Sequence, residues 1–294
     1  MHFKEAKGIL SAFNGMNISR GCTHGCIYCD SRSKCYQIDH DFEDVQIKSN
    51  APALLQDALK RKRNKCVIGT GAMTDPYIPI PENLSNIRAC LEIIDKYDCG
   101  IAIQTKSDFI LRDIDLLISI NKKAKCIVQT TLTTFDEDLC KIIEPNVCGT
   151  KRRFEMLKVM QENGIQTIVW LCPFLPFIND TEENLRGLLD YCVDADVYGI
   201  LCWGIGMTLR EGSRDYFYQK LDEHFPGLKE TYQKNYGLKY QITSGNNDKL
   251  MKIFNSICEK NNIVTGVDRL FEYMRAFEEK ENALIKKARQ MELF

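Results

Sequence analysis

Short apolar runs alternate with amphipathic stretches along most of this chain, and that alternation limits the folds open to it. "CVIGTG" (66–71), "GIAIQTKS" (100–107), "KCIVQTTLT" (125–133), "QTIVWLCP" (166–173) and "VYGILCWG" (197–204) read as strands buried on both faces. "GMNISRG" (15–21) reads as the first of the series. Between them Leu84, Ile87, Leu91 and Ile94 keep a three-to-four spacing, as do Ile110, Ile114, Leu117 and Ile118. Leu185, Leu188, Leu189 and Cys192 do the same. Crossovers of this length join parallel strands with a right-handed turn. Six such units are too few for a closed eight-stranded barrel. They predict an α/β chain folded as a partial, TIM-like (β/α)6 barrel with its site at the C-terminal strand ends.

After about residue 210 the texture changes to helical patterns broken by Gly and Pro and rich in Tyr. The expected division is therefore a partial barrel over 1–210 and a helical C-terminal extension over 211–294, packed against or across the barrel opening. The last stretch, "RAFEEKENALIKKARQMELF", reads as an amphipathic surface helix. Five tyrosines of the extension (Tyr216, Tyr218, Tyr232, Tyr236, Tyr240) are expected mostly in packing roles.

The 39 basic and 40 acidic side chains nearly cancel, so charge gives no default reason for DNA or anionic membrane as a partner. "KRKRNK" (60–65) is a basic helix end, which more often complements a helix dipole than binds nucleic acid. No apolar run approaches the ~18–20 residues of a membrane span. "MHFKEAKGIL" carries no signal-peptide pattern, so a cytoplasmic protein with no membrane contact is expected.

Fourteen cysteines in a chain of this length and context do not imply disulfides. Cys66, Cys126, Cys172, Cys192 and Cys202 sit in apolar patterns, where free cysteine packs as a small hydrophobe. "GCTHGCIYCD" (21–30) is different, because Cys22, Cys26 and Cys29 form a C-x3-C-x2-C array in a loop of Gly, Thr and His. A structural zinc site wants four ligands, with His24, Asp30 or the more distant Cys35 as the remaining candidates. A redox dithiol at Cys26 and Cys29 leaves Cys22 unexplained. A [4Fe–4S] cluster on three thiolates leaves one iron open to an exogenous ligand, which is the logic of a catalytic centre.

This array, with Tyr28 before its last cysteine and a strand before the loop, resembles the radical S-adenosylmethionine superfamily. "TDPYIPIP" (74–81), "TKSDFILRDIDLL" (105–117), "TTLTT" (130–134), "IEPN" (143–146) and "PFLPFIND" (173–180) follow in the order seen in its spore-photolyase-like branch. The resemblance implies a [4Fe–4S] cluster on Cys22, Cys26 and Cys29 whose open iron chelates S-adenosylmethionine. It further implies one-electron cleavage to a 5′-deoxyadenosyl radical that abstracts hydrogen from a substrate, with a flavodoxin- or ferredoxin-type electron donor. A nucleobase or nucleic acid is the substrate class favoured by family, with a small molecule or peptide as alternatives.

The same resemblance distributes the cofactor contacts. Tyr28 is expected beside the adenine, and Thr70, Gly71, Thr74 and Asp75 near the amino group. Lys106 matches a lysine that contacts the methionine carboxylate. Thr131 and Thr133 are expected near ribose and carboxylate, and Pro173 at the adenine border. Plainer readings stand beside these: loop packing for Tyr28, a turn cap for Asp75 and strand forming for the threonines. Glu144 and Arg152 are expected to pair near the site.

Two departures from the branch matter. Its hydrogen-donating cysteine falls at Ala72, and an aromatic after the third cysteine is replaced by Asp30. The expectation is thus a radical S-adenosylmethionine enzyme that is not a thymine-dimer lyase. The competing expectation is a non-catalytic metal-binding or sensing protein with a four-ligand zinc or iron–sulfur site.

Overall fold

The computed structural model describes residues 1–280. In chain order its first half comprises β1 (His2–Lys4), β2 (Gly15–Met16), β3 (Ser19–Arg20), β4 (Gln46–Lys48), α1 (Ala51–Arg61), β5 (Val67–Thr70), α2 (Pro81–Lys96), β6 (Gly100–Gln104) and α3 (Ile114–Lys123). There follow β7 (Cys126–Thr131), α4 (Glu137–Ile143), α5 (Thr150–Glu162), β8 (Gln166–Trp170), α6 (Glu182–Asp194), β9 (Gly199–Leu201) and β10 (Gly206–Thr208). The chain after residue 210 forms α7 (Ser213–His224), α8 (Leu228–Tyr236), β11 (Gln241–Thr243), α9 (Asn247–Lys260) and α10 (Val267–Arg275).

Six strands make one sheet in the order β2-β5-β6-β7-β8-β9, and every pairing is parallel. This is the partial α/β barrel expected from the alternation. The first strand is shorter than its sequence run. Only Gly15 and Met16 join the barrel, while Ser19 and Arg20 pair antiparallel with β4 in a separate three-stranded sheet of order β1-β4-β3. The chain leaves the barrel after Met16, and Cys22 N–H then bonds Phe42 O (2.9 Å) at the head of the cysteine loop. The helix read over 110–118 starts as a 3-10 segment (Asp108–Asp113) before α3.

Strand side chains alternate between two faces. Ile68, Ile101, Ile103, Cys126 and Val128 point to one apolar cluster with residues of α1, α2, α3 and α5, including Leu55, Ile87, Leu117 and Met156. Val67, Ala102, Ile127, Ile168 and Leu201 point the other way and are covered by Leu270 and Met274 of α10. So the inner face of the partial barrel is closed on that layer by α10. α9 packs its Leu250, Phe254 and Cys258 against Leu185, Leu188 and Cys192 of α6. The extension also carries a strand that its sequence did not signal, since β11 pairs antiparallel with β10. The expected surface helix over the last twenty residues is not present over 276–280, and its remainder lies outside the described residues.

Leu270 is fully buried, and its Cδ2 lies where a Cβ on Gly199 would approach to 2.5 Å. Leu270→Ala should therefore cost ~2–5 kcal/mol of stability, read as a lower midpoint in anaerobic denaturant unfolding. An unchanged midpoint would show that α10 does not seal the barrel.

Candidate active site

The three cysteines lie on an irregular loop over the C-terminal ends of the barrel strands. Gly21 has φ +83° and a Cβ there would meet Phe42 O at 2.4 Å, so only glycine fits the entry to this loop. The "IEPN" segment holds the loop from the other side. Ile27 N–H bonds Ile143 O (3.0 Å), Asn146 N–H bonds His24 O (3.1 Å), and Asn146 Nδ2 donates to Thr23 O (2.9 Å). Glu144 accepts the Tyr28 hydroxyl on one oxygen and Arg153 Nη2 on the other.

Arg153, not Arg152, is the partner of Glu144. Both members of the pair are fully buried. Arg153 also donates from Nε to Cys148 O (2.9 Å) and from Nη1 to Thr131 O (2.7 Å), so its planar fork ties α5 to the end of β7. Arg152 instead faces outward to Asp108 (2.8 Å) and Glu155 (3.0 Å). The two arginines are neighbours on α5, and only Arg153 falls on its buried face. Burial alone would raise the Glu144 carboxyl, but Arg153, Lys106 and the Tyr28 hydroxyl outweigh it and hold the group below its ordinary range.

Asp75 is a positioning residue. Its Oδ1 accepts Tyr77 N–H (2.9 Å) and the Thr105 hydroxyl (2.7 Å), and its Oδ2 accepts Lys106 N–H (2.8 Å). His24 Nδ1 lies 3.5 Å from the same Oδ2. Burial lowers the affinity of His24 for a proton more than Asp75 raises it, so the ring stays neutral. Gly71 has φ +99°, and a Cβ there would fall 1.9 Å from Gln104 O. Its absence lets the ends of β5 and β6 close up beneath the cysteine loop.

Two adjoining cavities meet over these strand ends. The first is lined by Cys22, Cys26, Cys29, Gly71, Asp75 and Lys106, among others. The second, of about 910 Å³, shares Cys26, Cys29, Ala72, Gln104, Lys106 and Thr131 with it. Tyr28 and Pro173 also line the second cavity. Lys106 Nζ stands 5.8 Å from the Tyr28 ring centroid. Burial alone would lower the Lys106 ammonium pKa, yet Cys26, Glu144, Asp75 and Cys29 together raise it, so it stays charged. Of the remaining sequence-predicted contacts, Thr70 and Thr133 are buried and line neither cavity. Thr133 O accepts Asn179 Nδ2 (2.9 Å) and Asn184 Nδ2 (2.9 Å). Thr74 lines a different cavity beside the three-stranded sheet.

The sequence reading missed most of the large cavity's wall. Trp170, Trp203, Arg210, Tyr240 and Asn247 line it, and the extension supplies the last two. Trp170 and Trp203 stand with ring centroids 5.3 Å apart. Their positions at strand ends were the available signal. Of the five extension tyrosines named above, Tyr232 is fully buried with its hydroxyl on Pro176 O (2.7 Å), and only Tyr240 lines this cavity.

A partial α/β barrel carrying a three-thiol loop over its strand ends is the class that fold and site define. The family model described as the radical SAM superfamily matches residues 16–191, and the chain belongs to that superfamily. An uncharacterized protein of Methanocaldococcus jannaschii is 34% identical over 164 residues, which cover 55% of this chain and 60% of that protein. An uncharacterized protein of Mycobacterium tuberculosis is 26% identical over 229 residues, covering 75% of this chain and 66% of its own. The chain thus spans about two thirds or less of these relatives' lengths. Among solved structures, a point mutant of spore photoproduct lyase superposes with a TM-score of 0.61 at 14% identity, covering 84% of this chain and 74% of that one. The radical S-adenosylmethionine methyltransferase TsrM from Kitasatospora setae gives 0.51 at 14% identity, over 67% of this chain and 34% of its own.

The residues fit the cluster this superfamily implies. All three thiols line one cavity. Burial, with Asp75 beside it, pushes the Cys22 thiol up to about 12, and burial raises Cys26 likewise. Such thiols are stabilised as thiolates only by a cationic centre. Two of the candidate fourth protein ligands are placed otherwise, whereas His24 lines the cysteine cavity with its Nδ1 3.5 Å from Asp75 Oδ2. Asp30 bonds Tyr36 (2.9 Å), Thr208 (3.2 Å) and Ser33 (3.2 Å) and pairs with Arg210 (3.4 Å). Cys35 is exposed and lines neither cavity.

Glu144→Gln leaves the Arg153 charge buried without its counter-ion and should cost ~3–5 kcal/mol. Since the folded-state pKa of Glu144 lies below its unfolded value of 4.5, the pair's contribution is complete above that pH and is lost as pH falls through the folded value. Thermal unfolding across pH should therefore show a lower, flatter acid limb for the variant. A wild-type-like profile would remove the pair from its central place.

Proposed function

We propose that this chain is a radical S-adenosylmethionine enzyme that acts by hydrogen abstraction on a substrate held in the large cavity. The observation that carries the reading is the wall shared by the two cavities, where Cys26, Cys29, Lys106 and Thr131 face both. Cys22, Cys26 and Cys29 would hold the [4Fe–4S] cluster, and the Lys106 ammonium would hold the methionine carboxylate. Tyr28 would border the adenine. With a flavodoxin- or ferredoxin-type donor, the bound cofactor pair supplies a 5′-deoxyadenosyl radical by one-electron cleavage. The chain's own residues position and enclose. Asp75 fixes the Lys106 backbone, while Trp170 and Trp203 provide an aromatic wall for a planar substrate, with a nucleobase the favoured class.

A solved spore photoproduct lyase with this fold is complexed with dinucleoside spore photoproduct. Our reading assigns this chain a different reaction, because Ala72 lines both cavities where that branch's donor thiol is expected. The four-ligand alternative finds no support in the engagement of Asp30 or the exposure of Cys35, and its third candidate, His24, lines the cysteine cavity with Nδ1 turned to Asp75.

The test is anaerobic reconstitution, reduction, addition of S-adenosylmethionine and quantification of 5′-deoxyadenosine by mass spectrometry beside Cys26→Ala. Product from wild type alone is expected. Product from neither protein, with a reducible and fully loaded cluster and candidate nucleosides present, would contradict the reading. Lys106→Met should keep its iron and raise the S-adenosylmethionine concentration for half-saturation about tenfold or more. An unchanged half-saturation would remove Lys106 from the carboxylate site.

A further inference from the structure

A second, unassigned site lies on the small sheet, away from the large cavity. A cavity of about 530 Å³ is lined by Lys4, Lys7, Arg20 and Lys48, with Glu5 as its only acidic residue. β1 and β4 run parallel with Lys4 opposite Lys48. Gln46 pairs with Arg20 on the other side, so by alternation Lys4, Lys48 and Arg20 project from one face. Like charges directly opposite each other on a sheet are destabilising. Here they persist without an internal counter-ion. No ion pair forms at Lys4, Lys7, Arg20 or Lys48 among the described residues, and Arg20 makes only a bond from Nη2 to Tyr36 O (3.1 Å). Burial and the neighbouring Arg20 both push the Lys48 ammonium toward its neutral form, the cost of holding it there without an anion.

Elsewhere on the surface several basic groups have carboxylate partners, and Lys60, Lys62 and Arg63 of the basic run, which have none among the described residues, line none of the cavities described above. Lys65, in the basic run 60–65, pairs with Asp98 (3.4 Å) and Glu279 (3.0 Å). Lys34 pairs with Glu211, and Arg32 with Glu43. Unpaired cations converging on a concave space fit a compact, multiply charged anion better than the spread carboxylates of a protein surface. Met73 lines this cavity and the cysteine-lined one alike, so an anion bound here adjoins the active site.

We propose that the cavity between β1, β3 and β4 is a phosphate-binding site in which Lys4, Arg20 and Lys48 hold the phosphate group of a ligand. A phosphodiester of a nucleic-acid strand and a monoester of a small molecule share this chemistry, and the test separates them. The site stands whether or not the chain performs radical chemistry, because binding is read without reductant or S-adenosylmethionine.

The full chain is titrated with inorganic phosphate by equilibrium dialysis, and with a dye-labelled single strand of about ten thymidines by fluorescence anisotropy. Phosphate should bind the wild type, and a K4Q/K48Q variant should lose affinity about tenfold or more. Lys62→Gln, on the basic helix end, should bind as wild type does. A strand that binds more tightly than phosphate, with a salt slope reduced in the K4Q/K48Q variant, identifies the phosphodiester as source. Binding of phosphate and thymidine monophosphate without the strand identifies a monoester. The proposal is overturned if neither probe binds, if only an acidic protein such as a flavodoxin binds, or if Lys62→Gln weakens binding as much as the K4Q/K48Q variant does.

Discussion

The buried contact among Tyr28, Glu144 and Arg153 is the interaction on which the site depends. It joins the cysteine loop, the segment after α4, the end of β7 and the first turns of α5 in one network. Two opposite charges are taken out of water there, which is tolerable only because Arg153 uses its remaining donors on backbone carbonyls and Glu144 takes the Tyr28 hydroxyl. The arrangement contributes geometry more than net stability. It gives an otherwise irregular loop one position over the strand ends, which three thiols need if they are to face a common space.

A second constraint comes from the two layers of the barrel's inner face. Val67, Ala102, Ile127, Ile168 and Leu201 form an apolar floor covered by α10. One step further along the strands stand Gln104, Gln129, Thr131 and Trp170, and Trp170 Nε1 donates to Gln129 Oε1 (2.9 Å). Of these, Gln104, Thr131 and Trp170 line the large cavity. Apolar floor and polar cavity wall are thus separated along a single strand by one change of polarity. The extension serves both layers, with α10 beneath and Tyr240 and Asn247 in the wall above.

Much of the barrel was legible because buried parallel strands read as continuous apolar runs and their crossovers as three-to-four periodicity. Strands β1, β4 and β11 were not, since each is only three residues long with a pairing partner remote in sequence, and β3 was read as part of the first barrel strand. The motif segments were visible, but their roles differ from a list of ligands. Asp75 spends its oxygens on Tyr77, Thr105 and Lys106, and Asn179 spends its amide on Leu175 and Thr133. These residues staple strand ends, and their place in the motif segments reflects backbone positioning. The choice between Arg152 and Arg153 turned on one residue of helix phase, which α5 obscures by carrying charged residues around much of its surface. Trp170 and Trp203 were read as strand residues, and the parallel pairing of β8 with β9, which sets Trp170 opposite Leu201, brings them together.

The central claim is that three thiols, gathered by this network, leave one coordination place for a cofactor that Lys106 helps to hold. Electron-spin resonance of the reduced, anaerobically reconstituted protein with and without S-adenosylmethionine addresses it most directly. A [4Fe–4S] signal whose shape changes on adding S-adenosylmethionine, and is absent from Cys26→Ala, is the predicted result. A signal indifferent to S-adenosylmethionine would mean that the cluster does not take the cofactor at its fourth place, and would contradict the account.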